Sequence, residues 1–153
     1  MASFVREIMA TLQKRQSVLH RRMKAVRHAA TAPEIKVRRI LQELGLRLTY
    51  NDATLPGRPD LASHSRRLAV FVHGCFWHQH EGCRRATLPR SNTSAWLRKF
   101  QRNIARDRRN RRDLRRIGFA VWTVWECQVE DERSLRKRLR RLLLVLKRRP
   151  QSR

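Results

Sequence analysis

Apolar residues at helical spacing define the first element of the chain. Ile35, Ile40, Leu41 and Leu44 fall on one face of a helix, and the run stops at Gly45. Thr31-Ala-Pro-Glu34 precedes the run and has the spacing of a capping box with proline in the first turn. The pattern predicts a helix that begins at this box and ends at Gly45.

Shorter apolar runs separated by turn residues predict strands. The segment 51–60, NDATLPGRPD, has the proline and glycine content of a loop, and Asp60 lies at its end. SHSRR, at 63–67, is predicted to be a hairpin turn. The predicted strands are Leu46–Tyr50, a strand that begins at Leu61, Leu68–Val72 and Phe119–Trp125.

Two further helices complete the predicted order. Residues 92–117 place Trp96, Leu97, Phe100, Ile104, Leu114 and Ile117 at roughly helical spacing, and residues 132–147 place leucines likewise. The order of helix, strand, hairpin strand, strand, helix, strand and helix predicts an α/β fold, with a mixed central sheet flanked by helices. We expect a single domain at 31–149, preceded by a basic arm or helix at 1–30, which is either a surface helix or a DNA-facing arm.

The charge of the chain indicates a polyanionic partner. Lys and Arg number 37 against 12 Asp and Glu, which gives a formal net charge of +25 in 153 residues. Nucleic acid is the first choice because a dense arginine surface releases counterions from phosphates. A ribosomal-type RNA binder or a protein of anionic membranes is the alternative. Without a long apolar run or signal peptide, we expect a cytoplasmic, nucleoid-associated protein that does not enter a membrane.

Cysteine and histidine are concentrated in one loop. Cys75, His80 and Cys83 have C-x4-H-x2-C spacing, and Cys127 follows the next strand. Three thiols and one imidazole are a ligand set for a closed, tetrahedral structural zinc site, whereas three buried thiols acting as small apolar groups are the alternative. His78 is a second candidate for the histidine ligand, but the Gly82 turn favours His80.

Acidic residues are scarce, and one of them precedes the histidine-rich loop. Asp60 lies one hairpin away from His73 and His78. A carboxylate beside histidines in an arginine-rich cleft fits magnesium-assisted phosphodiester hydrolysis, in which an imidazole takes the proton of water. Glu34 and Asp107 are further candidates to support this site, although the capping box alone explains Glu34.

Four motifs together resemble the very short patch repair endonucleases, which nick DNA at T:G mismatches. They are TLPGRPD at 54–60, VFVHGCFWHQHEGC at 70–83, TSAWLRKFQRNIARDRR at 93–109 and GFAVWTVWEC at 118–127. The resemblance implies a restriction-endonuclease-like fold. It also implies Mg²⁺ on Asp60 and the main-chain carbonyl of Val72, and His78 as general base.

The resemblance further implies supporting roles for Glu34, His73 and Asp107, and zinc on Cys75, His80, Cys83 and Cys127. It implies that Phe76, Trp77 and Trp96 form an aromatic wedge beside the mismatch, where a weakly stacked pair opens easily. Packing around the zinc loop is the alternative for Phe76 and Trp77, and the helix core for Trp96. Met23 matches a residue of the arm that enters the other groove, and Arg58 completes the expected DNA contacts.

The sequence therefore predicts a magnesium-dependent, zinc-stabilised endonuclease that nicks one strand beside a T:G mismatch and leaves a 5′-phosphate. We expect it to act as a monomer on double-stranded DNA, with a mismatch-repair protein as a possible partner. A non-catalytic zinc-containing binder of distorted or mismatched DNA is the alternative. An RNA-binding basic protein is a third interpretation.

Overall fold

The computed structural model describes residues 30–147, in the order that the sequence predicts. Contacts divide the chain into Met1–Ile35, of which only Ala30–Ile35 is described, and Lys36–Arg153. The sheet and both of its cores belong to the second unit. The helices and strands are α1 (Ala32–Glu43), β1 (Thr49–Tyr50), β2 (Leu61–Ser63), β3 (Leu68–His73), α2 (Thr93–Arg116), β4 (Ala120–Trp125) and α3 (Glu132–Lys147).

Helix α1 begins at the predicted capping box. The Thr31 hydroxyl accepts a hydrogen bond from the Glu34 backbone N–H at 3.4 Å, and the Glu34 carboxylate accepts from the Thr31 N–H at 3.3 Å. After the helix, Gly45 has φ +86°, a left-handed conformation that glycine adopts without strain. The prediction that Ile35 shares the buried face is wrong, because it is 46% exposed and lies about 140° around the helix from Ile40.

The four strands form one mixed sheet in the order β1-β2-β3-β4. Strand β2 pairs antiparallel with β1 and with β3, whereas β3 and β4 are parallel. Strand β1 is shorter than predicted, because the N–H of Leu46 still bonds the helical carbonyl of Leu41 at 3.1 Å. The predicted hairpin turn is a short 3₁₀ turn at His64–Arg66.

Strand β3 separates two cores by the alternation of its side chains. Leu68 and Val70 pack with residues of α1 and α3, whereas Ala69 and Phe71 pack with Leu114 of α2. Helices α1 and α3 therefore cover one face of the sheet, and α2 covers the other. By the same alternation His73, at the end of β3, points to the α2 face.

Helix α2 is longer than the sheet that it covers. Its 24 residues extend about 36 Å, against about 20 Å for a six-residue strand. Leu97 and Ile117 have the predicted helical spacing, but they lie near the ends of the helix and are 45% exposed. Within residues 30–147, no helix is long and apolar enough to cross a membrane.

Candidate metal centre and active site

The parallel pairing of β3 and β4 brings two distant cysteines together. His73 and Trp125 are the last paired residues of the two strands. Parallel strands leave a sheet at the same edge, so the residues just beyond this pair are neighbours. Cys75 and Cys127, each two residues beyond it, are thereby placed at one site.

The loop after β3 brings the other two ligand candidates to this site. The His80 N–H bonds the Cys75 carbonyl at 3.0 Å, and the Cys83 N–H bonds the His80 carbonyl at 3.1 Å. Gly82 makes the turn between them with φ +71°. The potential ligand atoms of Cys75, His80, Cys83 and Cys127 all lie within 4.8 Å of one another, and His78 is not among them.

The distances in this group match a tetrahedral zinc site. His80 Nδ1 lies 3.6 Å from the Sγ of Cys75 and 3.4 Å from the Sγ of Cys127. Zinc bonds of about 2.3 Å to sulfur and 2.0 Å to nitrogen, at tetrahedral angles, separate the two atoms by about 3.5 Å. The backbone thus holds these side chains at the spacing that the ion requires.

The electrostatics of the group also call for a cation. Burial, followed by the hydrogen bond and charge of Cys75, raises the pKa of Cys127 to about 12. The backbone hydrogen bond of Arg85 lowers the pKa of Cys83. Crowded thiols cannot all ionise by themselves, and a divalent ion supplies the positive charge that lets them do so.

The second group consists of His73, His78 and Asp107. The rings of His73 and His78 are stacked, with centroids 3.7 Å apart and planes 11° from parallel. His78 Nδ1 donates a hydrogen bond to Asp107 Oδ2 at 2.5 Å. The potential ligand atoms of the three side chains all lie within 4.8 Å of one another. However, imidazole lone pairs lie in the ring plane, so two parallel stacked rings cannot both direct one to the same ion.

The hydrogen bond from His78 fixes the chemistry of its ring. With a proton on Nδ1, the neutral ring keeps a lone pair on Nε2 and can accept a proton there. Burial opposes the ionisation of Asp107, but the hydrogen bond and charge of His78 outweigh it and lower the pKa of the carboxyl. A carboxylate that orients an imidazole is the usual arrangement of a general base.

His73 is held neutral behind this pair. Its residue is 7% exposed, and burial, followed by the charge of His78, lowers its pKa to about 3. A neutral ring can stack on His78 without repelling the charge that forms there. His73 therefore supports His78 and takes no proton itself at neutral pH.

Asp60 lies near the end of β3 that carries His73. Within residues 30–147, it belongs neither to the group of three cysteines and His80 nor to the group of His73, His78 and Asp107. Its Oδ2 accepts a hydrogen bond from the backbone N–H of Val72 at 2.7 Å. Val72 directly precedes His73, so this bond ties the Asp60 carboxylate to the strand that carries the histidine. Glu34 uses its carboxylate in the capping box with Thr31.

Trp125 joins the two groups. Its ring stacks on His80, with centroids 4.2 Å apart and planes 9° from parallel. The same ring meets His73 at 5.5 Å and 72°. His80 of one group and His73 of the other thus contact the same indole, which makes Trp125 part of the site.

Aromatic side chains of the loop and of α2 form a surface cluster beside the site. Phe76 makes edge contacts with Trp77 at 5.0 Å, with Trp96 at 5.5 Å and with Phe100 at 5.3 Å. Phe100 is buried, whereas Trp77 is 37% exposed. The Lys99 Nζ lies 4.6 Å from the Trp77 ring centroid and 5.0 Å from that of Trp96. This aromatic cluster (Phe76, Trp77, Trp96, Phe100) offers flat apolar rings beside a cation.

The predicted DNA contact Arg58 is not a member of this cluster. Arg58 is exposed, has φ +49° and donates from Nε to the carbonyl of Asn51 at 3.0 Å. Met23 falls outside residues 30–147. Lys99 and Arg111 were not predicted from the sequence. For Arg111, the spacing of four residues from Asp107 was a usable signal, because it places both side chains on one helix face.

A cavity of ≈ 380 Å³ lies over the histidine pair. His73, His78, Asp107 and Arg111 line it, together with Trp125 and residues 79–81 of the loop after β3. The space is next to the imidazole that can accept a proton, and one arginine faces it. This arrangement can bind an anion and activate water beside it.

Comparisons with known proteins identify relatives over most of the chain. Residues 10–85 match the protein family described as DNA mismatch endonuclease Vsr. The type II nicking enzyme V.XorIIP of Xanthomonas oryzae is 45% identical over 121 residues, which are 79% of this chain and 88% of the relative. The type II nicking enzyme V.NmeAIP of Neisseria meningitidis is 41% identical over 76% and 83% of the two chains. The DNA mismatch endonuclease Vsr of Escherichia coli K12 is 39% identical over 74% of this chain and 72% of its own length.

Proposed function

The chain belongs to the Vsr family of DNA mismatch endonucleases, and on that basis we propose which of its residues cut DNA and which mismatch they select. It is a DNA mismatch nicking endonuclease with a restriction-endonuclease-like fold, so the predicted fold class and the predicted nicking of mismatched DNA are confirmed. We propose that it nicks one strand beside a T:G pair in a magnesium-dependent hydrolysis, leaving a 5′-phosphate. The alternative of a non-catalytic DNA binder does not fit this family.

The main support for a catalytic His78 is its hydrogen bond of 2.5 Å to Asp107. The neutral His78 ring takes a proton from water at Nε2, and Asp107 stabilises the imidazolium that results. His73 stacks on a face of the His78 ring and keeps His78 oriented. The water oxygen then attacks phosphorus, and the bond from phosphorus to O3′ breaks.

Asp60 and the carbonyl of Val72 fit a magnesium site by their chemistry. Both offer oxygen atoms, the donors that Mg²⁺ prefers, and the Val72 N–H bond to Asp60 ties the two residues together. Bound Mg²⁺ would neutralise phosphate charge and lower the pKa of water. Glu34, which already closes the capping box, has the weakest support as a member of this site.

Zinc on Cys75, His80, Cys83 and Cys127 has a structural role in this proposal. The four side chains form a closed set of sulfur and nitrogen ligands, which leaves no position for substrate. The ion would fix the loop that carries His78 between two of its ligands. It would also keep the stacked Trp125 ring in place.

We propose that Phe76, Trp77 and Trp96 recognise the mismatch by stacking beside it. A T:G wobble pair stacks less well than a matched pair, so inserting rings there costs less free energy. The exposure of Trp77 and the nearby Lys99 cation support contact with bases and phosphates. Because both groups of ligand atoms come from one chain, we propose that a monomer cuts. The net charge of +25 favours residence on the nucleoid.

A nicking assay on matched substrates tests the proposal. Duplexes with a T:G pair, with other mismatches and with none are incubated with and without magnesium, and the nicks are then offered to DNA ligase. We expect magnesium-dependent cuts at T:G, which ligase seals because the ends are 5′-phosphate and 3′-hydroxyl. Asp60→Asn and His78→Ala should abolish cutting, whereas Asp113→Asn, a charge removal on the surface of α2, should retain it.

Equal nicking by wild type and Asp60→Asn would refute the magnesium assignment. Equal nicking by wild type and His78→Ala would refute the general base. Bound zinc and the thermal unfolding midpoint are measured for each variant, so that a lost reaction is not confused with a lost fold.

A further inference from the structure

Arg111 lies in the cavity that holds the proposed catalytic groups. It is four residues after Asp107 on α2, so the two side chains share one helix face. Its side chain lines the cavity of ≈ 380 Å³ with His73, His78 and Asp107. Nine arginines lie between residues 98 and 116, most of them exposed, whereas Arg111 is partly buried.

Asp107 forms no ion pair with Arg111, although the spacing of four residues would allow one. The Oδ2 of Asp107 accepts from His78 at 2.5 Å, and its Oδ1 accepts from Arg106 at 3.2 Å. Among the residues that the structure describes, none forms a hydrogen bond or an ion pair with Arg111. A guanidinium that is partly withdrawn from water and has neither a hydrogen bond nor an ion pair loses hydration without compensation.

We propose that Arg111 binds the non-bridging oxygens of the scissile phosphate. This inference rests on the proposed function, because it takes His78 as the base beside the cut bond. A guanidinium presents paired N–H groups that match the oxygens of a phosphate, and it stays charged at any working pH. The phosphate is thereby held next to the water that His78 deprotonates.

The contact stabilises the transition state more than the bound substrate. As the water oxygen attacks phosphorus, its proton passes to His78 Nε2. The bond to O3′ breaks with its electron pair, and O3′ takes a proton from solvent. Negative charge on the non-bridging oxygens rises during this step, so the hydrogen bonds of Arg111 strengthen. Arg111 therefore acts on the rate of cutting more than on affinity.

Single-turnover nicking at saturating enzyme measures this effect. We expect Arg111→Ala to cut a T:G duplex about 100-fold more slowly or worse, the usual loss for one such donor. Arg111→Lys should retain part of the rate, because an ammonium keeps the charge but not the paired geometry. Affinity for the same duplex without magnesium should change little. Arg140→Ala, at an exposed position on α3, is the control and should cut at the wild-type rate.

Sulfur substitution at the scissile phosphate tests whether Arg111 contacts that phosphate or only supports the fold. Each of the two phosphorothioate diastereomers replaces one non-bridging oxygen and weakens the hydrogen bonds made to it. We expect one diastereomer to slow the wild type more than it slows Arg111→Ala or Arg111→Lys. A side chain that only supports the fold would leave these ratios unchanged.

The outcomes separate this inference from the proposed function. Wild-type cutting by Arg111→Ala, with His78→Ala inactive, would overturn the role of Arg111 alone. Wild-type cutting by His78→Ala would overturn the proposed function beneath it. If Arg111→Ala loses zinc or unfolds at a lower temperature than wild type, the test uses Arg111→Lys in its place. Equal slowing of Arg111→Lys and of wild type by each phosphorothioate diastereomer would then overturn the contact.

Discussion

Replacing Asp107 with asparagine tests the proposed general base most directly. The carboxylate accepts two sets of hydrogen bonds, from His78 at Oδ2 and from Arg106 at Oδ1. Asparagine has only one oxygen. If that oxygen faces Arg106, which only donates, the amide N–H groups face His78 Nδ1. The imidazole must then carry its proton on Nε2, where it can no longer accept one from water.

The expected loss follows from this change of tautomer. An Asp→Asn change behind a catalytic histidine lowers the rate by about 10⁴-fold, which is about 5.4 kcal/mol of activation free energy. We expect Asp107→Asn to show a loss of this order in single-turnover nicking of a T:G duplex. Bound zinc should remain at the wild-type level, because Asp107 is not among the four proposed zinc ligands.

A double variant checks that Asp107 acts through His78. Residues of one catalytic unit are strongly non-additive, so Asp107→Asn combined with His78→Ala should be no slower than His78→Ala alone. Independent, multiplied losses in the double variant would contradict the assignment. A single Asp107→Asn variant that cuts within tenfold of wild type would refute the tautomer argument itself.

Three further predictions follow from the geometry. Cys127→Ser, or removal of zinc by a chelator, should lower the unfolding midpoint and abolish nicking together, and a variant without zinc that cuts normally would contradict a structural ion. Trp77→Ala should weaken binding to a T:G duplex by about 10- to 100-fold, the loss of one stacked base, and leave matched-duplex binding nearly unchanged in a competition assay. Asp52, whose pKa is lowered by its hydrogen bonds from Thr54 and His64, should stabilise the fold fully above about pH 4. That contribution disappears as the pH falls through the lowered pKa of Asp52. The unfolding midpoints of wild type and Asp52→Asn should therefore differ at pH 7 and converge in acid. A difference that does not change with pH would refute this role of Asp52.

The sequence predicts the elements of this fold well because local rules decide them. The capping box fixes the start of α1, and Thr93–Arg116 lies within one residue at each end of the predicted helix. Burial at helix ends was not predictable, because it depends on how far a helix extends beyond the sheet. Leu97 and Ile117 have helical spacing but are 45% exposed near the ends of α2.

The site was predictable in its residue types and less so in its pairings. Ligand spacing indicated Cys75, His80 and Cys83, and strand order indicated that Cys127 joins them. The stacking of His73 on His78 depends on a tertiary turn of the loop and has no local signature. Asp107 was predicted only as a supporting residue, because its bond to His78 forms only when α2 packs on the sheet.

The pairing of His73 with Trp125 limits how the gene for this enzyme can change in length. One inserted or deleted codon in β3 or β4 would turn every later side chain of that strand to the opposite face of the sheet. It would also shift Cys75 and Cys127 apart. The segment at 84–92, by contrast, contains no strand or helix and belongs to neither group of ligand atoms. Natural variation in length should therefore accumulate in that segment, while the distance from each strand to its cysteine stays constant across lineages.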